Sequence, residues 1–398
     1  MINGDKQLEA TLKNELTKEL TGNILPFWLN NAIDHVRGGF LGEIDFQGNP
    51  VPDVNKGAIL NARILWTFSA SFNAFEDPAY LEAAHRAYDY FMEYFTDKSY
   101  GGVFWELDFE GRPVNTKKQI YAQAFAIYGL SEYFRATGRD EALNQAVALY
   151  GDIENHSFDR ERNGYFEAFS RDWGHADDLR LSEKDQNERK TMNTHLHILE
   201  AYTNFYRVWR DDSLKQRMLN LVELFVGRFI NTDGHLDLFF DDDWNLRSDL
   251  VSFGHDIECS WLVQEAAEVA GDPGYIEKCR KLAVFIAEQS LAGLDSDGGL
   301  FYEYFPSEDR WDRDKHWWPQ AEAIVGYYNA YRVSGRSDFL ERASGSWHFI
   351  QKYLVDPVAG EWHWSVDAHG IPNFKGQKAG FWKCPYHNSR ACLEIIRR

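Results

Sequence analysis

Gly102-Val-Phe-Trp-Glu106 shows the pattern that decides the fold, because a glycine followed by alternating aromatic or aliphatic residues recurs six times along the chain. The six segments begin at Gly39, Gly102, Gly164, Gly234, Gly299 and Gly360, which are 61 to 70 residues apart by subtraction. Such alternation, bounded by turn-forming residues, is typical of a short strand or hairpin. A pattern that returns at this interval predicts an architecture built from six similar units.

Each interval between glycine segments has room for two helices. Asp77-Pro78 and Asp272-Pro273 mark helix starts, since each supplies an N-cap and a proline in the first turn. With the stretch from Lys6 to Asn30 as the first helix, the count is about twelve helices in six pairs. An open solenoid is the alternative, but neither end of the chain resembles a polar cap. We therefore expect an all-α (α/α)6 barrel with short β hairpins at one face, formed by residues 1–398 as one domain.

Composition excludes several classes of function. The 42 basic and 62 acidic residues give a net charge of −20, so a nucleic-acid partner is not expected. No apolar run is long enough for a signal or a membrane span, and the four cysteines show no CxxC spacing. Both features favour a cytoplasmic protein. Aromatic residues are 16% of the chain, and most of their rings must belong to a large core, although the amphipathic Trp and Tyr rings also suit a sugar ligand.

The helix that follows each glycine segment carries unusual polar or aromatic residues in its first turns. The set comprises Arg63, Tyr121, Asn193, His197, His255, Glu258, Trp318, Glu322, Trp382 and His387. In an (α/α)6 barrel these would be the inner helices, and their first turns would converge on one mouth of the ring. Each residue alone could be structural, Arg63 in an ion pair and the tryptophans in the core. Their shared position in successive repeats predicts a functional site instead.

Metal and nucleotide cofactors are not expected at this site. His195 and His197 are two residues apart and point to opposite sides of a helix, which makes them a poor pair of metal ligands. No HExxH motif and no strand–GxGxxG–helix element is present.

Four stretches carry a family resemblance that runs along nearly the whole chain. They are 192–202, 254–261, 317–322 and 383–390. The stretches resemble those of cellobiose 2-epimerases, which belong to the N-acylglucosamine 2-epimerase superfamily. The resemblance implies an (α/α)6 barrel that interconverts the reducing-end glucose and mannose of β-1,4-linked disaccharides such as cellobiose and lactose. It also implies that the reaction needs no metal or nucleotide.

The resemblance also implies residue roles. His255 and His387 match the paired acid and base, His197 matches the residue for ring opening, and Arg63 matches the contact to negatively charged oxygens. The positions that match substrate contacts are Tyr121, Asn193, Asp185, Glu258, Trp318, Glu322 and Trp382. Asp185 is the weakest match, because it lies in a loop at 181–189.

The chemistry of inversion at C2 explains why two histidines are needed. Ring opening exposes a carbonyl at C1, which makes the C2 proton acidic enough for a base and gives an enediolate. One histidine removes the proton and the other returns one to the opposite face. Arg63 would stabilise the enediolate, and Glu258, three residues after His255, would orient that imidazole.

Several alternatives stay open at this point. An aldose–ketose isomerase or an N-acylglucosamine 2-epimerase of the same superfamily would use similar residues. An (α/α)6 glycoside hydrolase would need two carboxylates about 5–10 Å apart, and acidic residues are plentiful. A non-catalytic sugar-binding ring would need the tryptophans but not the histidine pair. The ring could act as a monomer or as a homodimer.

Overall fold

A computed structural model of the chain describes residues 2–398 and contains thirteen α-helices in this range. The first two, α1 (Ile2–Glu19) and α2 (Leu25–Asn31), are joined through a π-helical turn into one rod, which leaves twelve rods. The remaining helices are α3 (Ala58–Phe75), α4 (Pro78–Tyr90), α5 (Ile120–Thr137), α6 (Asp140–His156), α7 (Met192–Val208), α8 (Asp212–Leu224), α9 (Phe253–Ala270), α10 (Pro273–Ser290), α11 (Trp317–Ser334), α12 (Ser337–Phe349) and α13 (Tyr386–Arg397).

The helices form two concentric rings. Inner helices α3, α5, α7, α9, α11 and α13 each contact the next, and α13 packs against α3 to close the ring. Each inner helix is backed by the outer helix α4, α6, α8, α10, α12 or α1. The predicted (α/α)6 barrel is therefore confirmed. Within residues 2–398, no helix has the length and apolarity that a membrane span needs.

Local sequence explains where the helices begin and end. Asp272 caps α10 as predicted, since its Oδ1 accepts hydrogen bonds of 3.0 Å from the backbone N–H groups of Gly274 and Tyr275. Inner helix α9 ends at Gly271, whose φ of 72° is the left-handed conformation that glycine adopts without strain. The outer helix can therefore turn back at once against the inner one.

Twelve short strands lie at the end of the barrel where the inner helices start. They are β1 (Lys56–Gly57), β2 (Glu106–Leu107), β3 (Pro113–Asn115), β4 (Lys118–Gln119), β5 (Ala168–Phe169), β6 (Lys190–Thr191), β7 (Phe239–Phe240), β8 (Val251–Ser252), β9 (Glu303–Phe305), β10 (Arg310–Asp312), β11 (Lys315–His316) and β12 (Ser365–Val366).

The pairing of these strands connects neighbouring repeats. The strand before an inner helix pairs antiparallel with the strand that follows the next glycine segment, as in Lys56↔Leu107 of β1 and β2. The same arrangement joins β4 to β5, β6 to β7, β8 to β9 and β11 to β12. Local hairpins of the kind that alternation predicts are also present. β2–β3 and β9–β10 pair as strands, and a single antiparallel bridge such as Thr96↔Val103 closes the chain at each glycine segment. The ladders between repeats fix the position along the barrel axis at which each inner helix begins.

A buried lysine–aspartate pair recurs beside these strands. In five repeats a lysine ammonium lies 2.7–2.9 Å from an aspartate in the turn before the glycine segment. The pairs are Lys56–Asp34, Lys118–Asp97, Lys190–Asp159, Lys315–Asp295 and Lys378–Asp356. The lysines are almost completely buried, so breaking a pair would leave an uncompensated charge. The pairs therefore hold each glycine segment against the start of an inner helix.

Candidate active site

A cavity of about 310 Å³ opens where the first turns of the six inner helices converge. Ten of the eleven predicted site residues line it: Arg63, Tyr121, Asp185, Asn193, His197, His255, Glu258, Trp318, Trp382 and His387. The eleventh, Glu322, is fully buried behind His387. The prediction that residues of successive repeats meet at one mouth of the barrel is therefore confirmed.

His387 is held by a carboxylate. Its Nδ1 donates a hydrogen bond of 2.7 Å to Glu322 Oε1, and Glu258 Oε1 lies 3.9 Å from the same nitrogen. Burial, together with the nearby cations, lowers the pKa of His387 well below its usual value, so the imidazole is neutral. Because the proton sits on Nδ1, Nε2 keeps its lone pair. His387 is therefore in the tautomer that can act as a general base through Nε2.

His255 has a different partner. Its Nδ1 lies 2.8 Å from Ser252 Oγ, and its ring packs against Trp318 with the centroids 4.8 Å apart. The prediction that Glu258 orients His255 is therefore wrong. Residues three apart share a helix face, but the Glu258 carboxylate turns toward Arg390. Burial, with a smaller contribution from His197, lowers the pKa of His255 to about 3.

His197 also carries a carboxylate partner. Its Nδ1 donates a hydrogen bond of 2.8 Å to Glu200 Oε2, and burial lowers its pKa despite that neighbour. His195 lies on the other side of the helix, with Nδ1 2.6 Å from Thr191 O and Nε2 accepting from Tyr165 N–H at 2.8 Å. The prediction that the two histidines diverge is confirmed, and His195 is structural.

Arg390 joins the carboxylates behind the histidines. Its Nη2 donates to Glu258 at 2.5 Å and to Glu322 at 2.6 Å, and its Nη1 pairs with Glu200. Burial and the charge of Glu322 raise the pKa of Glu258. Sequence reasoning missed Arg390 and Glu200 as site residues. Each stands three positions after a cavity histidine, His387 or His197, and this spacing could have found them.

Arg63 lies among aromatic rings, and no acidic side chain in the described part of the chain pairs with it. Its guanidinium is buried, donates a hydrogen bond of 2.8 Å to Tyr121 OH, and lies over the rings of Phe125 and Tyr386 at 4.2 and 4.5 Å. Within residues 2–398 no aspartate or glutamate forms an ion pair with it, and its Nε has no hydrogen-bond partner. A buried cation without a counter-charge is costly, so this position suits an anion that develops in the cavity.

One cluster could offer ligands to a metal ion. Oxygen atoms of Glu258 and Glu322 and a nitrogen of His387 lie within 4.8 Å of one another. The Nη2 of Arg390, however, already contacts both carboxylates, so a fixed guanidinium supplies the positive charge there. These residues fit an arginine-centred ion pair better than a metal site.

Asp185 reaches the cavity from a loop. Its Oδ2 accepts hydrogen bonds from Ser182 N–H at 2.8 Å and from Ser182 Oγ at 2.9 Å, and burial raises its pKa. The structure thus places this weakest sequence match at the mouth. Glu167, which sequence reasoning missed, also lines the cavity; burial raises its pKa to about 7.

Aromatic rings form one wall of the cavity. The predicted Trp318 and Trp382 are joined there by four rings that sequence reasoning did not assign: Tyr302, His316, Trp317 and Trp364. Trp317 directly precedes Trp318, whereas Tyr302 belongs to the glycine segment at Gly299. A flat, partly polar wall of this kind is suited to the faces of sugar rings.

Comparison with known proteins places the chain in a family. The profile of the N-acylglucosamine 2-epimerase (GlcNAc 2-epimerase) family matches residues 39–391. A cellobiose 2-epimerase of Bacteroides fragilis is 52% identical over 98% of this chain and 100% of its own. The cellobiose 2-epimerase of Dictyoglomus turgidum is 37% identical over 97% of this chain and 98% of its own. The solved cellobiose 2-epimerase from Bacillus thermoamylovorans is 42% identical, covers 98% of this chain and 100% of its own, and superposes with a TM-score of 0.92. The chain belongs to the N-acylglucosamine 2-epimerase family.

Proposed function

We propose that this chain is a sugar 2-epimerase that interconverts the reducing-end glucose and mannose of β-1,4-linked disaccharides, with cellobiose as a substrate. The observation that carries the proposal is a pair of imidazoles that line one cavity and pack against the same tryptophan. The rings of His255 and His387 both contact Trp318, with centroid distances of 4.8 and 5.6 Å. Relatives at 52% and 37% identity that are cellobiose 2-epimerases support the same substrate class.

The first step is opening of the reducing sugar ring. A proton must leave the O1 hydroxyl while another reaches the ring oxygen O5, so the site needs a group that can accept and donate. His197 fits this task because its Nδ1–H donates a hydrogen bond to Glu200. Its Nε2 is therefore free to accept and donate protons. Tyr121 contacts the His197 ring at a centroid distance of 4.9 Å and would limit its rotation.

The second step is removal of the C2 proton. In one direction His387 Nε2 takes the proton, the C–H electron pair forms the C1–C2 double bond, and the negative charge moves to O1. Glu322 stabilises the imidazolium that results. Arg63, a buried cation that no carboxylate among residues 2–398 pairs with, stabilises the enediolate oxygens.

The third step delivers a proton to the opposite face. After rotation about C2–C3, the second histidine, which is neutral at rest and becomes an imidazolium by taking a proton from solvent, gives that proton to C2. The C1 carbonyl re-forms and the first histidine releases its proton to solvent. In this scheme the roles of His255 and His387 reverse between the two directions. Positioned acid–base catalysis of this kind contributes roughly 10²–10⁴-fold to the rate.

The remaining assignments are part of the same proposal. The substrate contacts would be Tyr121, Asn193, Asp185, Glu258, Trp318, Glu322 and Trp382. Residues 1–398 would form one catalytic domain that needs no metal or cofactor. A cytoplasmic location is supported by the four cysteines, all of which carry free thiols.

The geometry of Glu258 and Glu322 does not favour a glycoside hydrolase that uses this pair. Such an enzyme needs one carboxylic acid and one free carboxylate on either side of a glycosidic bond. Here Glu258 and Glu322 share the Nη2 of Arg390, which holds both on the same side. A purely binding protein would not need the two histidines.

Incubation with cellobiose and chromatography of the products tests the proposal. We expect 4-O-β-glucosyl-mannose to accumulate, and the His255→Asn/His387→Asn double variant to give none. A ketose would indicate an aldose–ketose isomerase, free glucose a hydrolase, and no change a binding protein; each result would contradict the proposal. A parallel incubation with N-acetylglucosamine, expected to stay unchanged, tests the other epimerase activity.

A further inference from the structure

One position of the glycine segments differs in the two repeats that carry the proposed bases. An antiparallel bridge closes each segment, and in four repeats the residue before the bridged position is a glycine. These glycines are Gly39, Gly102, Gly164 and Gly299. The fourth repeat has His235 there, in the segment before the helix of His255, and the sixth has Glu361, in the segment before the helix of His387. The two departures from glycine therefore coincide with the two proposed proton carriers.

Each of four segments is attached to the first turns of the inner helix that follows it. The backbone N–H of the bridged residue donates a hydrogen bond of 2.6–2.9 Å to the fourth residue of that helix. The pairs are Val103–Gln123, Tyr165–His195, Leu236–Asp256 and Leu300–Gln320. In α9 the proposed base His255 directly precedes the attachment residue Asp256. A shift of Asp256 would therefore shift the backbone of His255.

His235 makes a second contact with this attachment residue. Its Nδ1 lies 2.6 Å from Asp256 Oδ2, while Asp256 Oδ1 accepts from Leu236 N–H at 2.9 Å. Asp256 is fully buried, so solvent does not compete for either oxygen. Both oxygens of Asp256 are thus held by the glycine segment.

In the fourth repeat, neutral residues replace the buried lysine–aspartate pair that recurs elsewhere. Asn231 stands at the position of the aspartate, directly after the bridged Ile230, and Val251 stands at the position of the lysine, as the first residue of β8. The contact between His235 and Asp256 therefore takes over the attachment of this segment to its inner helix.

Glu361 makes the corresponding attachment in the sixth repeat. Its Oε1 accepts from Asn388 Nδ2 at 2.7 Å and from Trp362 N–H at 2.9 Å, so the carboxylate joins the segment to the first turn of α13. Asn388 directly follows the proposed base His387. The φ of Glu361 is 61°, close to the 62° of Gly39, and this left-handed conformation strains any residue with a Cβ. A glutamate kept despite that strain indicates a role beyond closing the turn.

We propose that His235 and Glu361 are positioning residues for the two bases of the reaction. His235 acts on His255 through Asp256, and Glu361 acts through Asn388 on the base of α13. This inference rests on the proposed function. Both residues lie outside the lining of the cavity, so they act by fixing the first turn of one inner helix. Such fixing matters because a misplacement of about 1 Å can cost about 100-fold in rate.

Loss of the C2 hydrogen in D₂O reports on each base separately. NMR follows the initial rate at which C2 protium disappears from pure cellobiose or from its pure mannose-type epimer. His255→Ala identifies the epimer that His255 deprotonates, because the rate for that epimer is then lost. The other epimer reports on His387.

His235→Gly restores the residue that four repeats have and removes the contact with Asp256. We expect protium loss from the epimer that His255 deprotonates to slow about tenfold, and protium loss from the other epimer to slow less than about twofold. Asn388→Ala removes the contact of Glu361 with α13 but leaves Glu361 paired with Lys383. This variant should show the opposite selectivity between the epimers.

A conservative variant and a matched control accompany these two. His235→Asn keeps a donor near the position of Nδ1 and should restore the rate to within about threefold of the wild type. His85→Ala is the control, because His85 Nδ1 makes a contact of the same length, 2.6 Å, with Tyr133 OH between α4 and α5. It should leave the ratio of the two rates unchanged.

Equal losses for both epimers in His235→Gly, or no loss for either, would overturn the inference, because a merely structural contact does not select one base. Circular dichroism shows whether each variant is folded, and Asn388→Ala carries the test if His235→Gly is not. A wild type that released no C2 protium from cellobiose would instead contradict the proposed function, and the positioning roles with it.

Discussion

Glu322 Oε1 accepts a hydrogen bond of 2.7 Å from Nδ1 of His387, although the two residues lie on different helices and are 65 positions apart. The bond fixes the tautomer of His387 and leaves Nε2 as the basic nitrogen. Its counterpart at His255 is a serine hydroxyl at 2.8 Å. The two proposed proton carriers are therefore unequal, since only one is backed by a carboxylate.

Glu322→Gln tests the carboxylate behind His387. The amide keeps the shape of the side chain but cannot stabilise an imidazolium, so we expect kcat for cellobiose to fall at least tenfold with little change in KM. Glu265→Gln is the control, because Glu265 pairs with Arg207 outside the cavity at 2.8 Å. A Glu322→Gln enzyme with wild-type kcat would show that the carboxylate has no role in proton transfer.

Single histidine variants in D₂O separate the two bases. His255→Ala and His387→Ala should each abolish epimerisation, but each remaining histidine should still exchange the C2 hydrogen of one epimer. NMR of both epimers checks this, and the wild type should place deuterium at C2 from the first turnover. Protium kept at C2 of the wild-type product would rule out the enediolate route.

The same variants should differ in stability. His387→Ala removes the hydrogen bond to the buried Glu322, so we expect the free energy of unfolding to fall by about 1–3 kcal/mol. His255→Ala breaks only a bond with a neutral hydroxyl and should cost less. Denaturant unfolding followed by circular dichroism compares the two, and equal losses would contradict the difference in their partners.

Ser252→Asp tests how the partner of His255 sets the pH dependence. Because the pKa of His255 is near 3, this imidazole is neutral throughout the neutral range, so its titration should cause no loss of kcat/KM in the wild type at pH 6. An aspartate at position 252 would stabilise the imidazolium and raise that pKa. In the direction in which neutral His255 is the base, activity should then decline as the pH falls toward 6.

Ser252→Asn is the control for Ser252→Asp, since it introduces a similar volume without the charge. Profiles of kcat/KM in both directions, with cellobiose and with its mannose-type epimer between pH 5 and 8, compare the two variants with the wild type. If both variants give the same profile, the charge at position 252 does not control His255.

Prolonged dialysis against EDTA tests the proposed independence from metals. The Arg390 guanidinium already lies between Glu258 and Glu322, so we expect epimerisation to continue unchanged. Arg390→Met should abolish activity, and added Zn²⁺ or Mn²⁺ should not restore it. Activity lost on dialysis and regained with a divalent ion would instead assign Glu258, Glu322 and His387 to a metal.

The amino-acid sequence by itself determined the repeat and therefore the barrel. The six glycine segments and the Asp-Pro helix starts are local signals, which depend on backbone conformation and need no knowledge of distant contacts. Because the repeat assigns every second helix to the inner ring, it also predicted which first turns meet. The repeat thus predicted that Arg63 and His387, which are far apart in the sequence, line one cavity.

The tertiary structure alone decided which side chains pair inside that cavity. Spacing on one helix suggested Glu258 for His255, but Glu258 contacts Arg390, 132 positions away. The strand ladders and the buried lysine–aspartate pairs likewise join residues of different segments. Spacing predicts only which residues share a face of a helix. Which side chain such a residue meets across the cavity depends on how two packed helices are rotated about their axes and shifted along them. Side-chain packing over the whole ring sets both.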